Sequence, residues 1–143
     1  GRIISLIPIG ILKDTNSKAG LCLKGAKLLR AQIKNAMGDP DACIAELQEI
    51  LSDLPADRDA KFNLAQTLHD AKGDSEQALE ILHSVIHEGP QASSVDGGPY
   101  SRDAFKAGQI AASLGKHDEA REYFALCRRL LRTVKSQLQN LKQ

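Results

Sequence analysis

A phrase that occurs three times constrains this chain more than any other feature. Gly38-Asp39, Gly73-Asp74 and Gly115-Lys116 each open a turn followed by an amphipathic stretch: GDPDACIAELQEILSDLP, GDSEQALEILHSVIHEGP and GKHDEAREYFALCRR. Counted from each glycine, position five holds Cys43, Ala78 and Ala120, position nine Leu47, Leu82 and Phe124, and position twelve Ile50, Val85 and Cys127. Position seventeen is Pro55 and Pro90 in the first two copies and Arg132 in the third. Small and apolar residues at this spacing share one side of a helix. Proline stops a helix, because it lacks an N–H and crowds the preceding turn. The glycines lie 35 and 42 residues apart. A period in this range implies an array of one supersecondary unit, each copy carrying an apolar face that only a neighbour can bury.

The residues ahead of each turn fit the same scheme. Phe62, Leu64 and Ala65 precede the second glycine, Ala107 and Gly108 the third, and Leu28, Leu29 and Ala31 the first. With these positions the chain resembles the tetratricopeptide-repeat family over about residues 19–131, although the tryptophan of the family consensus is missing throughout. The resemblance implies an all-α fold: a right-handed superhelical array of about three helix-turn-helix repeats with a long C-terminal capping helix. The repeats are expected at about 19–56, 57–90 and 100–131, the last helix running on to 143, after an apolar extension over 1–18.

The resemblance also implies a role: a scaffold that binds a peptide or helix in a concave groove lined by the first helices of the repeats, without catalysis of its own. Chaperone-binding members hold a terminal carboxylate with lysine, asparagine and arginine on three successive first helices. Here Arg102 and Lys106 stand at the two basic positions of the third unit, Asn63 matches the second unit's asparagine with one extra residue, and Lys27 matches the first unit's lysine. The companion asparagine is replaced by Ala31 or Gln32. The candidate groove residues are Lys27, Lys34, Asn63, Arg102, Lys106 and Gln109. Such a set favours an acidic or carboxylate-bearing ligand, because hydrogen bonds to an ionised group are the strong ones.

Composition removes other classes. With 143 residues the chain is one domain's worth. Nineteen basic and 18 acidic residues leave a formal net charge of +1, and aromatics are 3% of the chain. Neither the basic stripe nor the stacking platforms of a nucleic-acid binder are present. Three cysteines, an odd number, do not make a disulfide framework, and reduced thiols suit a cytoplasmic setting. Cys43, Cys127 and Cys22 read as small packing residues on apolar sides.

The chain starts at Gly1, as expected of a piece of a longer chain or an expression scar. Ile3, Ile4, Leu6, Ile7, Ile9, Ile11 and Leu12 form an apolar run broken by Pro8 and Gly10. It is shorter than the roughly 20 residues a bilayer needs. It reads as a cap packed on the first repeat; the end of a membrane anchor, in the periplasm or another compartment, and an extended segment in a groove stay open. KDTNSK, from Lys13 to Lys18, is a polar turn able to cap the next helix.

The spacing then predicts helices over Lys18–Ala36, from Pro40 to near Ser52, over Asp57–Lys72, over Ser75–His87, from Ser101 or Arg102 to Leu114, and from near Lys116 to the chain end. The first is expected to bury Leu21, Leu28, Ala31 and Ile33, and the third Phe62, Ala65 and Leu68 with Leu64 flanking. Gly89 to Tyr100 reads as a linker about seven residues longer than the regular repeat. Leu131, Val134, Leu138 and Leu141 follow the alternation of a packing seam past the point where proline should stop the last helix. That helix reads as a cap over an exposed core edge, as terminal repeats require, with pairing to another chain as the alternative.

No catalytic constellation emerges. His83 and His87 are spaced four apart, as in some zinc sites, but the segment reads HSVIH, without the acidic residue of the zinc-protease motif or a third ligand nearby. No phosphate-binding glycine loop and no activated nucleophile is evident, and no cofactor is expected. The leading reading is a protein-interaction scaffold. The rivals are self-association through the N-terminal run or the last helix, and a regulatory or substrate-binding part of a larger enzyme. Solution mass with and without residues 1–12 and 131–143 separates the first rival, and catalytic motifs in a longer reading frame the second.

Overall fold

The three repeat glycines adopt a backbone that side chains resist. In the computed structural model, which describes residues 18–88 and 97–142 with side chains over 22–87 and 101–142, Gly38, Gly73 and Gly115 have φ of +86°, +67° and +77°. This left-handed region is the usual end of a helix, and glycine enters it without a Cβ penalty. At Gly38 and Gly115 the remaining bonds of that ending are in place. Asp39 N–H donates to Lys34 O at 3.0 Å and Gly38 N–H to Asn35 O at 3.0 Å, while Lys116 N–H donates to Ala111 O at 2.9 Å and Gly115 N–H to Ala112 O at 3.0 Å. Two copies of one sequence phrase thus close with the same hydrogen bonds.

The described residues form six helices and no strand: α1 Lys18–Ala36, α2 Pro40–Asp53, α3 Arg58–Asp70, α4 Ser75–Glu88, α5 Gly97–Ser113 and α6 His117–Leu141. The fold is all-α and built of tetratricopeptide-like helix-turn-helix repeats. The turn residues also start the second helices. Asp39 caps α2, its carboxylate accepting from Ala42 N–H at 3.1 Å, with Pro40 in the first turn, where no intrahelical donor is needed. Asp57 caps α3 in the same way, accepting from Ala60 N–H at 3.0 Å. Lys116, which replaces the aspartate in the third copy, caps α6 without a side-chain bond.

The chain divides into two units, Gly1–Lys72 and Gly73–Gln143. In the first, α1 and α2 make a hairpin and α3 packs on α2, with a lighter contact to α1. Cys43, Leu47 and Ile50, at positions five, nine and twelve of the repeat, are buried there with Ala60, Leu64 and Leu68. Cys43 Sγ lies 3.6 Å from Thr67 Oγ1, so its role is packing within the unit. In the second unit α5 and α6 make the closest pair and α4 packs on α5. Ala78, Leu82, Val85, Ala120 and Cys127, at the equivalent positions, are all buried. Gly108 is the point of closest approach: a Cβ there would lie 2.6 Å from the ring of Phe124. A small residue at this place in α5 is therefore a packing requirement of the hairpin.

Several expectations give way. Helix α5 begins at Gly97, not at Ser101 or Arg102. The first helical turn has N–H groups without intrahelical partners, so Pro99 fits inside it. In α1 the buried positions are Leu23, Lys27 and Ala31, whereas Cys22 and Ile33 are exposed. The helix is rotated because α1 has α2 and α3 on one side only among the described elements, and the apolar side that Leu29 and Ile33 share faces out. In α3 Leu64 is buried and Phe62 is not. Beyond Cys127 no residue of α6 is buried, and Leu131 is 53% and Leu141 83% exposed. The apolar run of 1–17 and the linker residues 89–96 lie outside the described residues. No described helix is long and apolar enough to cross a membrane.

Candidate functional site

The candidate groove residues separate by what holds them. Lys27 and Lys34 lie on the side of α1 that meets α2. Lys27 is only 6% exposed, and its ammonium lies 2.6 Å from Glu49 Oε1. Lys34 lies 3.0 Å from Glu46 Oε2, and Arg30 Nε 3.4 Å from Glu46 Oε1. Glu46 itself is buried, so it is held by two cations, as a buried carboxylate must be. The bond from Lys27 holds the Glu49 carboxyl below the usual range against a smaller opposing effect of burial, with the charges of Lys27, Arg30 and Lys34 adding to it. These lysines therefore join the hairpin. Glu46 falls three residues after Cys43, among the packing positions, which is the sign in the sequence that it would be buried and would need partners.

A second face of α1 turns toward α3. Lys24 Nζ lies 2.8 Å from Asp57 Oδ1 and 3.4 Å from Asp59 Oδ2. Burial lowers the Lys24 pKa, but the bond to Asp57 and the two carboxylate charges outweigh it and leave the value raised. Asn63 stands beside this cluster. Its Nδ2 donates to Asp59 O at 2.8 Å, and its Oδ1 accepts from Gln32 Nε2 at 3.3 Å. Gln32 and Lys24 thus join Asn63 on the first-helix side of this unit. Asp57 also caps α3; in the sequence, a carboxylate pair two apart opposite a lysine-rich helix is the signal for this cluster.

In the second unit Arg102, Lys106 and Gln109 recur at four and three residues and so share one stripe of α5. Arg102 Nε lies 3.5 Å from Asp103 Oδ1, and Asp103 is fully buried. Arg102 and Lys106 are half-buried, and Gln109 is exposed. Phe105 is 49% exposed beside them, its ring 5.8 Å from that of Phe124. This stripe sets two cations, an amide and an aromatic edge side by side on α5.

A groove the sequence reading did not identify runs between α4 and α6, with a volume of about 500 Å³. Glu76 and Glu80 line it from α4, Glu119 and Glu122 from α6, over apolar Leu79 and Leu126. His83 and Tyr123 cross its floor, with Nδ1 and Oη 2.9 Å apart and the rings edge-on. Burial raises the Tyr123 pKa, and the Glu119 and Glu122 charges add to the shift, so the phenol keeps its proton. Lys116 crosses one end, 3.1 Å from Glu76 Oε2. Glu80 and Glu122 both occupy position seven of the repeat, so laying the copies side by side would have brought them together. The His83 and His87 rings touch, with centroids 4.0 Å apart. Among the described residues no group of three His, Cys, Asp or Glu is placed to hold a metal ion.

Comparison with known proteins agrees with this geometry. A family model described as a tetratricopeptide repeat matches residues 34–97, and a second of the same description matches residues 104–129. Together they cover more than half of the chain. No curated protein matches it. A solved crystal structure of MamA superposes with a TM-score of 0.67 at 20% sequence identity, over 83% of this chain and 67% of that one. At that identity the likeness concerns the fold.

Proposed function

Because the chain belongs to the tetratricopeptide-repeat family, we propose that it is a protein-interaction scaffold whose first-helix faces hold a peptide or helix from a partner, with acidic or carboxylate-bearing segments preferred. Repeats of this family serve protein–protein interaction and are generally non-catalytic. The observation that carries the finer reading is the α5 stripe. Arg102, Lys106 and Gln109 stand in line with the half-exposed ring of Phe105, which combines charge-assisted donors with an apolar anchor. Within the first unit, Asn63 lies with Gln32 and Lys24 on α3 and α1. Lys27 and Lys34 contribute through the hairpin they hold together rather than by direct contact.

A display library of 15-residue peptides, selected on the full 143-residue chain, tests this. Enrichment of acidic peptides, with affinity lost at least ten-fold in a Lys106→Glu, Gln109→Glu variant of unchanged helicity, is the expected result. Absence of enrichment, or peptides indifferent to that variant, would sink the reading.

A further inference from the structure

The end of α6 and the groove between α4 and α6 complement each other. From Arg128 onward the chain reads RRLLRTVKSQLQNLKQ, with Arg128, Arg129, Arg132, Lys135 and Lys142 and no acidic residue. The five cations are exposed, and among the described residues none makes an ion pair. At 100° per residue Leu131, Val134, Leu138 and Leu141 form one apolar stripe, and Arg128, Arg132, Lys135 and Lys142 all fall on the same flank of it. The opposite flank holds neutral Gln137 and Thr133, and Arg129 falls beyond them near the back of the helix, where it lines the groove of its own chain. A helix lying in a lipid surface carries cations on its polar face, on both sides of the apolar strip. A one-sided basic flank instead suits a partner with carboxylates along one side.

Each wall of the α4–α6 groove offers such a row, Glu76 and Glu80 on α4 and Glu119 and Glu122 on α6, with Lys116 and Arg129 also among the lining residues. The dimensions agree. From Leu131 to Leu141 the helix rises about 15 Å, and from Glu76 to His87 the α4 wall runs about 16 Å. The tail cannot reach the groove of its own chain, because α6 is one continuous helix whose earlier turns form a groove wall. The exposed apolar face of α1, Leu29 and Ile33, belongs to a helix without an acidic residue and offers a basic tail no carboxylate of its own.

We propose that residues 128–142 of one copy dock in the α4–α6 groove of a second copy, apolar stripe to Leu79 and Leu126 and basic flank to Glu119 and Glu122 on the α6 wall. The contact uses two different surfaces, so it is head-to-tail. In each pair one copy keeps a free groove and the other a free tail, so assembly continues unless a ring closes. The interface is small, so it forms with low affinity and weakens with added salt. It is separate from the α5 stripe and stands or falls independently of peptide binding there.

The test is solution mass of the full chain by analytical ultracentrifugation over a hundred-fold concentration range, about the span a weak association needs to show itself. Two variants are compared, one with Arg128→Glu, Arg132→Glu and Lys135→Glu, the other with Glu119→Lys and Glu122→Lys, each checked for unchanged helicity. The wild-type chain is expected to grow beyond a dimer as concentration rises, and each variant to stay monomeric. An equal mixture of the two variants should assemble again, because the acidic tail of one complements the basic groove of the other and the unchanged tail fits the unchanged groove. A wild-type chain monomeric throughout, variants that assemble like wild type, or a mixture that stays monomeric would each overturn the proposal. So would a wild-type chain that stays monomeric yet sediments with phosphatidylserine vesicles, since the tail would then serve a lipid surface.

Discussion

Gly108 shows how a single residue sets the spacing of a hairpin. The Phe124 ring fills the space that its side chain would take, with three ring carbons within 2.9 Å of a Cβ placed there. Gly108→Ala must move the ring or separate α5 from α6, and overpacking of this kind costs about 1–3 kcal/mol. Thermal unfolding should show that loss, and Phe124→Leu added to it should restore part of it. Lys24 makes a different prediction. Its raised pKa means that the Asp57–Asp59 cluster favours the folded state as long as the lysine is charged in both states. The contribution is fully present below its ordinary value of 10.5 and disappears as pH rises through the higher folded value. Denaturant midpoints of wild type and Lys24→Gln should therefore differ by a constant amount from neutral pH to about pH 10 and converge in stronger alkali. A gap unchanged at high pH would mean that Lys24 acts through packing alone.

At the scale of the element, the turn carries most of the information. Asp39 caps α2 and Gly38 ends α1, so one dipeptide closes one helix and opens the next. Asp39→Ala should lower stability by about 1 kcal/mol, the usual loss for an N-cap carboxylate, read as a shift of the urea midpoint without change of slope. The turns were legible because glycine, aspartate and proline act locally, through their own backbone and nearest neighbours. The second helices were legible too, since Leu47, Leu82, Ile50 and Val85 are buried where the repeat places them. The faces of the first helices were not. Leu64, Cys22 and Ile33 depend on which neighbours a helix has, and no spacing rule contains that. Lys27 read as a ligand contact because its charge was visible and its partner, Glu49 on the next helix, was not.

At the scale of the whole molecule, tandem hairpins do two things at once. They bury small and apolar residues at positions repeated along the sequence, and they leave surfaces between like helices that no internal neighbour covers. Two such surfaces carry specific chemistry here: the cationic stripe of α5 and the acidic groove between α4 and α6. The candidate site was half legible, because charges at helical spacing, Arg102, Lys106 and Gln109, show in one stretch of chain. The groove needs Glu80 and Glu122 from two copies of the repeat, and it becomes visible only when those copies are stacked. The central claim is that the chain acts by holding another protein on its first helices. Amide NMR of the full chain, titrated with an acidic peptide selected on it, tests this most directly. The account predicts saturable shifts centred on Arg102, Lys106 and Gln109. Shifts confined to α4 and α6, or none at saturating peptide, would contradict it.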